Sequence, residues 1–457
     1  MRTAPPAAPT ALAAAVRDAP VAAAGAAPAA PTTTAATAAT AATATAPAAL
    51  TTPLPPLDAA LLPPGVRSRF VPGINGLTVH LLEAGHEVAG RPVVLLLHGF
   101  PELAYSWRHV LPALAAAGYH AIAPDQRGYG RTTGWDDRYD GDVASYRMLN
   151  LVRDALGLVM ALGCRQVAAV VGHDFGAPLA AWCALLRPDV FQRVVLMSAP
   201  FGGPPPIPFD TVRAPRPPQP SIHDALAALP RPRKHYQWHY ASRGANDDLR
   251  HSAQGLHDLL RAYYHHKSAD WPGNQPAPLL GWTATELARL PTYYVMDLHQ
   301  GMAETVASEM PTPAQVAACA WLPDDALRVY SGEYRRTGFQ GGLNWYRCSI
   351  GDEPAARPPA GGPDVDRPED AQRPGCSGNH QAELQVFAGR RIEVPALFIA
   401  GRSDWGIHQK PGALAAMQAS ACAQLRGVHL VDGAGHWVQQ EQPEAVNRLL
   451  IDFLRRG

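Results

Sequence analysis

The chain has 457 residues, with Lys+Arg and Asp+Glu at 39 each, so its formal net charge is zero. That balance excludes a general electrostatic attraction to nucleic acid or to an anionic membrane. A hydrophobic content of 47% supports a large core, and the length admits two or three domains.

Residues 1–62 are rich in Ala, Pro and Thr, with Arg2, Arg17, Asp18 and Asp58 as their only charged side chains. So few large apolar groups cannot offset the entropy of ordering, and a disordered tail is expected. A signal peptide is the competing reading, resting on the weak apolar stretch at residues 7–16 behind a single Arg. No run is apolar enough to predict a membrane span, because prolines and threonines interrupt residues 19–57. The fold begins near Val66, where Asn75-Gly76 predicts a hairpin turn. Strands at 93–97, 120–123, 167–171 and 193–198 alternate with helices at 106–117, 146–162 and 177–186. This alternation predicts an α/β fold with a mostly parallel sheet covered on both faces. After Pro200 the pattern gives way to Pro-, aromatic- and His-rich segments until about 390. It resumes with strands at 396–400 and 428–431 and a closing helix from Pro443. The expected layout is core at 63–200 and 391–457, with a cap inserted at 201–390. Residues 351–375, dense in Pro, Gly, Asp and Arg, are expected to form a disordered loop.

Gly172-His173-Asp174-Phe175-Gly176 carries the chemistry. It follows an apolar strand and precedes a helix, with the glycine spacing of a nucleophile elbow, but places Asp where a hydrolase usually carries Ser. A carboxylate nucleophile suits attack on an electrophilic alkyl carbon and leaves an ester on the enzyme. Taken alone, the pentapeptide also reads as a glycine-bounded turn with an exposed Asp. Three further strand ends bear on that choice. His98-Gly99-Phe100-Pro101-Glu102 stands where an α/β-hydrolase sets one oxyanion-hole N–H, predicted on Phe100, with the second on Phe175. Ala400-Gly401-Arg402-Ser403-Asp404 ends a strand in an acid. Asp432-Gly433-Ala434-Gly435-His436-Trp437 ends another in a histidine. The order Asp174, Asp404, His436 matches the hydrolase order of nucleophile, acid and histidine.

With Asp125-Gln126-Arg127-Gly128-Tyr129-Gly130 and the cap segment Gly338-Phe339-Gln340-Gly341-Gly342-Leu343-Asn344-Trp345-Tyr346-Arg347, these motifs resemble the soluble epoxide hydrolases of the α/β-hydrolase superfamily. The resemblance covers roughly residues 66–457, with a poor fit at about 241–325 and 348–385. It implies an α/β-hydrolase fold with a mainly helical cap, a small-molecule epoxide and water as reactants, and no cofactor or metal. It also implies two cap tyrosines that hold the epoxide oxygen. Tyr346 matches one; Tyr236, before Gln237, matches the other, with Tyr240 as its alternative. His98, Pro101, Trp345 and Trp437, beside these motifs, are the expected substrate contacts. Two departures stand out. Phe175 replaces the usual Trp after the nucleophile, and the middle cap, residues 261–271, is unlike the family. His265 and His266 are adjacent and face two directions on a helix, which argues against a metal site. Asp125 and Arg127 are expected to brace a turn.

The alternatives are a dehalogenase with the same Asp nucleophile and a non-catalytic ligand sensor on this scaffold. A serine esterase is disfavoured because no Gly-x-Ser-x-Gly occurs. The six cysteines (Cys164, Cys183, Cys319, Cys348, Cys376 and Cys422) show no zinc or redox spacing, and there is no Asn-x-Ser/Thr sequon. Reduced thiols and a cytoplasmic setting are therefore expected, with export as the alternative. Oligomeric state is not legible.

Overall fold

The computed structural model describes residues 54–207, 221–350 and 376–456. Residues 1–53 and 351–375, on which most of the expected disorder falls, lie outside the described residues. A hairpin opens the fold: β1 (Val66–Ile74) pairs antiparallel with β2 (Leu77–Ala84). Asn75 and Gly76 have φ of 49° and 83°, the left-handed pair that a two-residue turn between twisted strands requires. Next come β3 (Val93–Leu97), α1 (Val110–Ala116), β4 (His120–Pro124), α2 (Met148–Ala161), β5 (Ala169–His173), α3 (Gly176–Leu186) and β6 (Val194–Met197).

The chain then leaves the sheet. Within the insertion lie β7 (Arg233–His235), α4 (Tyr236–Ala241), α5 (Leu256–Lys267), β8 (Val295–Asp297), α6 (Asp324–Thr337) and α7 (Gln340–Ile350). β7 and β8 form a small antiparallel ribbon. The chain returns with β9 (Ile392–Gly401), β10 (Cys422–Val431) and the closing α8 (Pro443–Arg455).

The main sheet has the order β1-β2-β4-β3-β5-β6-β9-β10. Its first two pairings are antiparallel and the rest are parallel. Every residue of β3, β5 and β6 is buried. That is why these strands read as unbroken apolar runs: helices cover both faces of a parallel sheet. β9 and β10 begin earlier than expected, at 392 and 422. Their first halves carry Glu393, Gln424 and Arg426, and β10 is an edge strand whose side chains are largely open to water. An edge strand needs no apolar run, so its start leaves little hydrophobic signal.

Composition predicts disorder as far as residue 62, and the structure corrects the last part. Leu57 is buried and its N–H donates to Ser68 Oγ (2.8 Å). Asp58 accepts from the Ala60 N–H (2.9 Å) to start a 3-10 turn at Ala59–Leu61. Arg131 donates to the Pro55 carbonyl (2.6 Å). One apolar anchor and a few hydrogen bonds hold this stretch, a signal that an average over 62 residues hides.

The insertion docks on the core through buried polar contacts. Trp345 Nε1 donates to the Arg127 carbonyl (2.9 Å), and the Tyr264 hydroxyl donates to the Pro101 carbonyl (3.1 Å). The His436 N–H donates to the Lys267 carbonyl (2.9 Å). Beneath them, Asp125 accepts from the Ala104 and Arg131 N–H groups (2.8 and 2.9 Å), and Arg127 pairs with Asp154 (2.7 Å). Both residues brace turns.

Candidate active site

β5 delivers Asp174 at its carboxyl end, and α3 starts two residues later. The turn is too tight for flanking side chains. A Cβ on Gly172 would lie 1.9 Å from the Gly176 carbonyl oxygen, and one on Gly176 would lie 2.2 Å from that of Leu97. Asp174 itself sits at φ 52°, a left-handed conformation that costs a non-glycine residue roughly 1–3 kcal/mol and stands its side chain clear of the backbone. One carboxylate oxygen, Oδ1, accepts from the Phe100 N–H (3.0 Å). The other, Oδ2, is 3.3 Å from His436 Nε2. Among the described residues Phe100 supplies the one N–H bonded to this carboxylate; the Phe175 N–H does not reach it in this state. Burial pushes the Asp174 carboxyl up. The His436 hydrogen bond and the charges of His436, Lys267 and His173 outweigh burial and hold it well below the usual carboxylate range.

β9 and β10, parallel neighbours, deliver Asp404 and His436 to the same edge of the sheet. His436 Nδ1 is 3.1 Å from Asp404 Oδ1, and that oxygen also accepts from the Gly406 N–H (2.7 Å). Burial raises the Asp404 carboxyl, while the His436 charge and hydrogen bonds from His436, Ser198 and Gly406 bring it below its ordinary value. Ser198, just past β6, places Oγ 3.0 Å from the same Nδ1. It has φ 69° and centres a tight turn closed by the Ala199 N–H on the Met197 carbonyl (2.8 Å). Such turns are rare and strained.

The insertion roofs this triad with aromatic rings. Tyr236, at the start of α4, and Tyr346, on α7, are both buried, with ring centroids 5.8 Å apart. The Tyr346 ring stands 4.5 Å from Phe175 and 5.5 Å from Phe100. Burial above all, then the Asp174 charge and neighbouring tyrosines, pushes both hydroxyls well above the usual tyrosine value. Both are therefore hydrogen-bond donors at neutral pH. The Tyr236 hydroxyl donates to Gln409 Oε1 (3.1 Å) and accepts from Gln237 (3.3 Å). Tyr240 is equally buried and packs against the same ring, 5.0 Å from Tyr346 by centroid, so both candidate tyrosines of α4 stand beside Tyr346.

Comparison with known proteins identifies the family. The profile of the alpha/beta hydrolase fold family matches residues 92–443. Epoxide hydrolase A of Mycobacterium tuberculosis is 33% identical over 388 residues, 83% of this chain and 95% of that protein. The structure of an epoxide hydrolase from an endophytic Streptomyces aligns with a TM-score of 0.61 at 32% identity, covering 86% of this chain and 96% of that one. Potato (Solanum tuberosum) epoxide hydrolase I aligns with the same TM-score at 26% identity, over 86% and 100% of the two chains. The chain belongs to the epoxide hydrolase family of the α/β-hydrolase fold.

Within this epoxide hydrolase fold the remaining predicted residues divide. His98 has both ring nitrogens engaged by backbone, Nδ1 2.9 Å from the Gly99 carbonyl and Nε2 accepting from the Gln126 N–H (3.2 Å). It braces two loops and offers no free nitrogen to a ligand. Trp345 is committed to Arg127 and stacks edge-on against Phe175 (5.7 Å), so it backs the pocket wall. The Pro101 carbonyl is taken by Tyr264. Trp437 Nε1 donates to the Tyr264 carbonyl (2.8 Å), and its ring faces His436 (4.6 Å). His266 packs between Trp271 (4.5 Å) and Tyr293 (4.8 Å).

Sequence patterns miss four further neighbours of the site. Ser198 carries no motif; its signal is only its place at the end of the neighbouring parallel strand. Glu102 pairs with His173 (2.6 Å), whose Nε2 meets the His436 carbonyl (2.7 Å). Burial opposes charge on both, but each partner outweighs it, so Glu102 titrates below and His173 above its ordinary value. Lys267 lies wholly buried beside the histidine loop; its sequence signal is that only three lysines occur, at 234, 267 and 410.

Proposed function

We propose that this chain converts an epoxide to a vicinal diol through an alkyl ester on Asp174. The observation that carries the proposal is a buried, ionised carboxylate on an elbow, with an N–H on one oxygen, His436 at the other, and two tyrosines above. Asp174 attacks an oxirane carbon; the C–O bond breaks and the departing oxygen takes a proton from Tyr236 or Tyr346. An alkoxide leaves poorly without such help, which contributes typically 10²–10⁴-fold.

Water then enters beside His436. Nε2 takes one of its protons as oxygen bonds to the ester carbon, with Asp404 stabilising the imidazolium. The developing oxyanion lies at the Phe100 N–H, with the Phe175 N–H as second donor once the carbonyl rehybridises. Collapse expels the diol oxygen, which receives the proton from His436. The proton left on Asp174 restores the tyrosine hydroxyl, so the balance is epoxide plus water giving diol. No step calls on a cofactor. Two tyrosine donors above the nucleophile favour this reaction over dehalogenation, because Phe175 offers no halide-binding N–H from its side chain. The cytoplasmic setting stays part of the proposal, supported by Cys164, Cys183, Cys319 and Cys422 standing as free thiols.

A single turnover in ¹⁸O-water with enzyme in excess tests the route. An ester mechanism gives largely unlabelled diol and label in the peptide containing Asp174. Labelled diol with an unlabelled peptide would make Asp174 a base and overturn the proposal.

A further inference from the structure

Lys267 ends α5 and is 2% exposed. Its ammonium faces four rings, at 5.0 Å from the centroid of Tyr294, 5.2 Å from Trp437, 5.4 Å from Tyr263 and 5.8 Å from Tyr293. Among the described residues it makes no ion pair and no hydrogen bond, and these ring contacts are its whole set of partners. Three N–H donors and a full charge thus face aromatic rings, in a residue only 2% exposed, with no acceptor among the described side chains. Aromatic faces attract the charge but accept none of its N–H groups as a carboxylate would. Burial accordingly holds the ammonium below the ordinary lysine value, against the pull of Asp174, Asp404 and Glu102.

The cage belongs to the active site. The Lys267 carbonyl accepts the His436 N–H, and Trp437 follows the catalytic histidine. Tyr294 packs against Tyr236 at 5.1 Å, so one ring separates the ammonium from the tyrosines that take the epoxide oxygen. Neither Tyr236 nor Tyr346 is among its ring contacts. The ammonium is therefore placed to meet a substituent of the substrate and not the oxirane oxygen. Its closeness to the histidine loop puts that substituent a short distance from the reacting carbon.

We propose that Lys267 is an anion subsite, and that the preferred substrates are compact epoxides carrying a carboxylate near the oxirane. This rests on the epoxide hydrolase reading above and adds the substrate class. A carboxylate supplies what the cage lacks: a directly placed acceptor for the ammonium N–H groups.

The test uses the full-length enzyme with trans-3-phenylglycidate and its neutral amide as a matched pair. Wild type should favour the acid in kcat/KM. In Lys267→Met, a neutral replacement of similar length, the acid-to-amide ratio should fall about 10- to 100-fold, the worth of one hydrogen bond to a charged group. An unchanged ratio, with both substrates slowed alike, would make the lysine a counter-charge for Asp174 and overturn the subsite. Should Lys267→Met fail to fold, wild type alone decides. A preference for the amide, or no competitive inhibition of styrene oxide hydrolysis by benzoate, would equally sink the proposal. Failure of the underlying reading looks different: no epoxide, charged or neutral, would yield diol.

Discussion

Replacing His436 with Gln should separate the two halves of the reaction. The first half needs Asp174 ionised and the tyrosines protonated. In the mutant the Phe100 N–H at 3.0 Å still holds Oδ1, and the Lys267 and His173 charges still favour the carboxylate over its acid. Alkylation should therefore slow by less than about tenfold, the loss of one close imidazole contact at Oδ2, 3.3 Å away. The second half loses its base outright, because Nε2 at 3.3 Å from Oδ2 is the described imidazole nitrogen facing the ester. Hydrolysis should slow about 10²- to 10⁴-fold, the usual worth of a general base. Alkylation then outruns hydrolysis and ester accumulates. The assay is intact-protein mass after incubation with an epoxide already shown to be a wild-type substrate. The expected shift is one epoxide mass, located by peptide mapping at Asp174. An unmodified mass, or an adduct on another residue, would refute the division of labour drawn from these distances.

Other substitutions test other contacts. Tyr346→Phe should lower kcat about 10- to 1000-fold with KM little changed, since its hydroxyl matters most as charge develops on oxygen; near-normal kcat would remove it from the site. Ser198→Ala should leave alkylation intact and slow ester hydrolysis about 3- to 10-fold, the worth of one neutral hydrogen bond to His436 Nδ1; slower alkylation in stopped-flow fluorescence would show a different role. Deleting residues 1–53 should leave the melting temperature unchanged, whereas deleting 1–62 removes Leu57 and should lower it by a few degrees; equal melting curves would show that the Leu57 anchor contributes nothing. Glu83 is buried, but hydrogen bonds from His120, Arg69 and Arg67 overcome burial and hold its carboxyl at about 2. A depressed carboxyl stabilises the fold above its unfolded value and loses that contribution as pH falls through the folded one. The stability gap between wild type and Glu83→Gln should therefore be full near neutrality and shrink between about pH 4.5 and 2. A gap independent of pH in urea titrations would contradict the pairing.

The sheet was legible because β3, β5 and β6 are buried on both faces and so must be apolar throughout. The elbow was legible because steric contacts at Gly172 and Gly176 leave no other residue there. Asp404 could be named because it follows the buried second half of β9, and His436 because a glycine-rich loop after β10 completes the hydrolase order. What stayed hidden depends on contacts between segments far apart in the chain. Whether Tyr236 or Tyr240 partners Tyr346 turns on how α4 rolls against α7, which no local pattern encodes. His98 stands at a strand end beside the predicted oxyanion-hole residue, yet its nitrogens are spent on the Gly99 and Gln126 backbone. Lys267 lies in the stretch that least resembles the family, and only packing shows its ammonium surrounded by rings.

That stretch also bears on the base. The His436 loop has three supports: Asp404 and Ser198 on Nδ1, His173 on the His436 carbonyl, and the Lys267 carbonyl on the His436 N–H. Glu441 adds a fourth tie by accepting the N–H groups of Gly435 and Trp437 from the loop and of Ala269 from the insertion, each at 2.8 Å. The insertion thus supplies tyrosines above the nucleophile and also fixes the height of the imidazole beside it. Because the segment that cages the ammonium is the one that holds the base, a substitution that moves α5 to admit a larger substrate also moves His436. Specificity changes made in this part of the cap should therefore appear in the hydrolysis step as well as in binding. Changes on α7 near Tyr346, whose ring contacts among the described residues are Phe100, Phe175, Tyr236 and Tyr240, should appear in alkylation alone.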